Sequence, residues 1–171
     1  MPAVVVYLVA LATMIAESAV LSVFSIQVWA LQTPLIVAIY LALDREFSEG
    51  GLILAGLFVP IEWLVGGPFG IYSLGLAGVF IGLQAVGSNV QRVWGLARGI
   101  IAGFAALGHA GVLLVILYLM GQGDTRLASS IGWQMWLGAL LVAAGSVAVG
   151  KAFARLDEMM DSRQRSTGLE H

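Results

Sequence analysis

The stretch PAVVVYLVALATMIAESAVLSVFSIQVWALQTPLIVAIYLAL, residues 2–43, contains one formally charged side chain, Glu17. As a continuous helix it would run roughly 60 Å, about twice the ~30 Å hydrocarbon core of a bilayer, so it must fold back once and hold two helices. The rest of the chain points to the same solvent. Its 171 residues are 60% hydrophobic and 11% charged, with mean hydropathy +0.96, the composition of an integral membrane protein. There is no cysteine, which excludes disulfides and thiolate metal sites. A net charge of -2 and a pI near 5.5 leave no basic face for nucleic acid. The N-terminus lacks the basic region of a cleaved signal and Glu17 interrupts the apolar run, so the first segment is expected to be a retained span.

Hydropathy divides the chain into six candidate helices, at about 3–24, 28–43, 51–65, 69–87, 99–120 and 131–152. Pro34 suits the first turn of the second, where its missing N–H costs nothing. DREFSEGG and GGP read as loops, and Trp94 as an interfacial anchor. With both termini inside, Arg45, Arg92, Arg98, Lys151, Arg155, Arg163 and Arg165 are cytoplasmic and only Arg126 is outside, which fixes the expected orientation. The fold class is therefore an all-α membrane protein, a compact bundle of six transmembrane helices with N-in/C-in topology. The second helix is short enough to be re-entrant. Residues 1–152 form the membrane domain and 153–168 an amphipathic cytoplasmic tail, lying on the membrane surface or docking a partner. The terminal LEH, residues 169–171, reads as the start of an expression tag.

Small residues recur four apart at Gly78 and Gly82, at Gly95, Gly99 and Gly103, and at Ala139 and Ala143. In lipid such stripes let helix backbones approach closely, here within the chain or against a partner.

Glu17, Glu62 and His109 are the titratable side chains inside predicted spans. A carboxyl group at that depth is costly unless protein or water receives it. Both acids belong to the outer half of the membrane and could share one cavity, although Glu62, one turn from Gly66, could also reach the interface. His109 can stay neutral and bond a neighbouring backbone, or act in a proton relay. Pro60 removes a backbone bond to Gly56, so the third helix is expected to kink or end near Glu62. No HExxH, GxSxG or phosphate-binding glycine loop is present and Lys151 is the single lysine, so neither an enzyme, a metal nor a cofactor is expected.

The order of ESAVL in the first helix, TPLIVAIYLAL, EGGLILAGL and then an acid eight residues before Gly70 in GGPFGIYSL resembles the MreD family of bacterial rod-shape-determining proteins. Pro34, Tyr40, Ala42, Leu43, Gly50, Gly67, Pro68, Gly70 and Tyr72 fall on the family's motif positions, and Glu62 takes the place of its usual aspartate. The resemblance covers residues 3–87. It implies a non-enzymatic inner-membrane scaffold of the cell-elongation machinery that regulates peptidoglycan synthesis. Its implied partners are an MreC-like bitopic protein and, through the complex, MreB and RodA with its transpeptidase. Glu17, Glu62, Pro68 and Gly70 would then form an outer-face docking site for a partner's helix, with Gly78, Gly82, Gly95, Gly99 and Gly103 as packing surfaces. The MreD fold is similar to the substrate-binding S components of energy-coupling-factor transporters, which supplies the alternative, a small-molecule-binding subunit of a membrane transporter.

Overall fold

The computed structural model describes residues 3–23, 32–65, 70–87, 96–119, 135–152 and 155. Six helices lie among them: α1 (Ala3–Val23), α2 (Thr33–Asp44), α3 (Phe47–Val65), α4 (Ile71–Gly87), α5 (Leu96–Leu119) and α6 (Met135–Ala152). Four of the six, α1, α3, α5 and α6, are long and apolar enough to cross a membrane, whereas α2 and α4 are shorter apolar helices. A 12-residue α2 is roughly 18 Å long, well short of the hydrocarbon thickness.

The short α2 forms the centre. Eight of its residues, Pro34, Leu35 and Val37 through Ala42, are buried, so it is covered on all sides, as a helix apolar around its whole circumference requires. It packs against α1, α3, α4 and α5, and Ile36 lies against Gly145 of α6. The surrounding helices bury one face and turn Leu8, Ile15, Trp63, Leu74, Phe104 and Leu140 outward. This outer apolar surface is the side that hydrocarbon solvates.

One sequence expectation changes. The charged turn after α2 is mostly helical: α3 starts at Phe47, with Glu49 in its first turn where the helix dipole favours an acid. α3 ends at Val65, as the hydropathy predicts, with Pro60 inside it. The small-residue stripes divide in two. Gly99 and Gly103 of α5 meet Ala143 and Ala139 of α6; a Cβ at Gly99 would come within 3.4 Å of the Ala143 carbonyl. Gly78 and Gly82 have nothing within 4 Å of such a Cβ and face away from the bundle. Gly95, Trp94, Pro68, residues 169–171 and all of the tail except Arg155 lie outside the described residues.

Candidate functional site

Each intramembrane acid meets the start of a short helix. Glu17 is the fifteenth residue of α1 and Glu62 the sixteenth of α3, so each sits roughly 21–23 Å from its helix start. There α2 and α4 begin. Glu17 accepts hydrogen bonds from the backbone N–H of Gln32 at Oε1, 2.9 Å, and of Thr33 at Oε2, 3.0 Å. Glu62, only 4% exposed, accepts at Oε1 from the N–H of Ser73 in the first turn of α4, 2.7 Å. The first N–H groups of any helix have no intrahelical acceptor, and in lipid an unmet one costs several kcal/mol. A carboxylate answers that need and complements the positive end of the helix dipole. The chain therefore receives both oxygens of Glu17 and one of Glu62, whose buried Oε2 has no partner among the described residues. Gly70, at φ +94, makes the turn that delivers α4 to Glu62, a conformation L side chains rarely adopt. The two carboxylates lie at the same end of the bundle, both within electrostatic reach of Tyr72.

The opposite end is tied by side chains. Arg98, at the start of α5 and 7% exposed, grips Asp44 at the end of α2 with both terminal nitrogens, at 3.1 Å to Oδ1 and by a shorter contact to Oδ2. Its guanidinium lies on Gly150 of α6, where a Cβ would come within 2.9 Å of Cζ. Arg45 pairs with Glu49 at 3.0 Å, and its carbonyl accepts from Gln84 Nε2 of α4 at 2.9 Å. Burial lowers the basicity of Arg45, but its hydrogen bond and charge interaction with Tyr40, then those with Glu49, outweigh burial and leave it above its ordinary value. Arg45, Arg98 and the Lys151 end of α6 thus share one end, as the loop charges imply.

Between α4 and α5 runs a groove of about 320 Å³, lined by Gly75, Gly78, Gly82, Ala105, Gly108 and His109 among others. His109 is 5% exposed and stands edge-on to Tyr72, ring centres 5.0 Å apart. It hydrogen-bonds the Tyr72 backbone while Nε2 has no partner among the described residues, so Nδ1–H is the donor to that carbonyl. The Nε2 edge fits over Gly75, where a Cβ would come within 2.9 Å of it. Sequence reading singled out His109 but could not show its free edge, which depends on the groove. Among the described residues no three His, Cys, Asp or Glu side chains come together as a metal site.

No protein-family model and no solved structure matches the chain. A curated relative is a transporter subunit. Over 139 residues the chain is 31% identical to the C4-dicarboxylate TRAP transporter small permease protein DctQ of Pseudomonas aeruginosa, covering 75% of this chain and 62% of that protein. The chain thus spans less than two thirds of that relative's length. The similarity corrects the MreD resemblance, and with it the cell-shape role and the MreC-like, MreB and RodA partners. The misleading motifs have a physical origin: Pro34 at a helix start, an acid, and a glycine turn at Gly70 are what a bundle needs wherever short helices begin within the membrane. With four membrane-crossing helices and a permease relative, the chain is a multi-pass protein of the bacterial inner membrane.

Proposed function

We propose that this chain is a small permease subunit of a TRAP-type solute transporter, the class to which its relative belongs, acting without chemistry of its own. The observation that carries the reading is the similarity over 139 residues, most of the membrane domain. The geometry supports a supporting rather than a conducting role. The α4–α5 groove is lined mainly by apolar side chains, and a polar solute crosses a membrane on convergent polar groups. In this reading Glu17 and Glu62 are positioning residues that hold α2 and α4. The α4–α5 groove then receives a helix of the companion permease, where Gly78 and Gly82 permit close backbone approach. The relative's substrate class, C4-dicarboxylates, is the first to try.

Deleting the gene in its host is expected to abolish uptake of labelled succinate or another carboxylate and leave cell outline unchanged. Rounded cells with normal uptake of every carboxylate tried would reverse the reading.

A further inference from the structure

A second cleft lies on the other side of the bundle, where α1 leans across α2 and α6. It encloses about 210 Å³, and Val9, Ala10, Ile36, Val37, Val149 and Ala152 form most of its wall. The polar groups beside it are committed elsewhere: Thr13 Oγ1 donates to the Val9 carbonyl of its own helix, the Thr33 N–H is taken by Glu17, and Tyr40 bonds Arg45. The cleft follows α2 from Thr33 to Tyr40, roughly 10 Å, about a third of the hydrocarbon core. An empty slot of this kind forfeits dispersion contacts along its whole wall, and in a membrane the mobile apolar material that fills it is a lipid chain.

The charge around the cleft specifies which lipid. Ala152 lines it at the Lys151 end of α6, and Arg155, itself helical, follows Ala152 by three residues, the spacing of neighbours on one helix face. Lys151 and Arg155 are both exposed, and neither forms an ion pair among the described residues. Their long apolar stems can lie along the helix while the cations rest at headgroup depth.

We propose that this cleft is a binding site for an anionic phospholipid of the cytoplasmic leaflet. One acyl chain occupies the space between α1, α2 and α6, and the phosphate is held by Lys151 and Arg155. Apolar walls supply retention and the two cations supply headgroup preference. The site requires no partner protein, so it stands or falls separately from the transporter reading.

The test uses the full chain, purified and delipidated in detergent, titrated with dioleoyl phosphatidylglycerol or dioleoyl phosphatidylcholine and read by native mass spectrometry. One phosphatidylglycerol per chain is expected, at roughly tenfold lower concentration than phosphatidylcholine needs for equal occupancy, as two cations near an anionic headgroup imply. Lys151→Gln with Arg155→Gln should erase that preference and leave residual binding of both lipids. Val9→Phe with Ala152→Phe, at positions exposed enough to accept the bulk, should abolish retention of either lipid. Equal occupancy by both lipids in the unmodified chain overturns the proposal. Retention that survives the phenylalanine pair but not the glutamine pair also overturns it, since the headgroup would then be held with no chain in the cleft.

Discussion

The two ends of this bundle satisfy charge by different means. At the end with Arg45 and Arg98, ions meet ions: Arg98 holds Asp44, and Arg45 holds Glu49. At the other end, carboxylates meet backbone: Glu17 takes the N–H groups of Gln32 and Thr33, and Glu62 takes that of Ser73. The difference follows from depth. Near headgroups, lysine and arginine are cheap, and pairs form between loop-proximal side chains. Deeper in, a cation would be as costly as the acid it neutralised, whereas the first turn of a helix already carries unmet donors and partial positive charge. The short helices therefore create the need that the two acids fill.

The largest break in this comparison should come from Asp44→Ala, which strands the Arg98 guanidinium at 7% exposure. Unfolding in mixed micelles should show a loss of about 3 kcal/mol, the low end for orphaning a buried ion because Asp44 itself is partly exposed. Adding Arg98→Met should restore most of it; no recovery would mean the arginine serves something besides Asp44. Next comes Glu17→Ala, which bares two backbone donors and should cost about 2 kcal/mol, with Glu17→Gln recovering about half of that, because its carbonyl accepts from one N–H while its NH2 faces the other. Equal losses for alanine and glutamine would show that both oxygens must accept for either bond to count. A smaller change is expected for Glu49→Ala, about 0.5 kcal/mol and fading in high salt, because Glu49 is on the exposed side of a half-buried i,i+4 pair and Arg45 keeps its bond to Tyr40. The smallest is Gly78→Ala, within about 0.5 kcal/mol of unaltered stability since nothing stands within 4 Å of the new methyl, while the transporter function proposed above would have it weaken co-purification with a companion permease.

Much of this was legible in the sequence. The span pattern, the two acids at one end of the bundle and the brevity of α2 follow from hydropathy and charge placement, and the burial of α2 on every side agrees with its lack of a polar face. The acceptor of each acid was not legible, because the donors are backbone N–H groups of Gln32, Thr33 and Ser73 and a backbone amide leaves no trace in residue identity. Spacing alone marked the glycine stripes alike, yet Gly99 and Gly103 meet α6 while Gly78 and Gly82 face outward; only tertiary contact separates them. The α3 start was misplaced because DREFSEGG carries turn residues, while Glu49 on the helix dipole and its bond to Arg45 favour helix there. The family resemblance failed for a related reason, since its motif positions mark how short helices begin and not descent.

The depth at which α2 begins constrains how the protein is made. Eighteen ångströms of apolar helix cannot be left across the bilayer alone during synthesis, because its first amides would be bare until α1 stood beside it with Glu17. Chain order meets that need: α1 with Glu17 is synthesised before α2, and α3 with Glu62 before α4, so each acceptor is in place when its donors emerge.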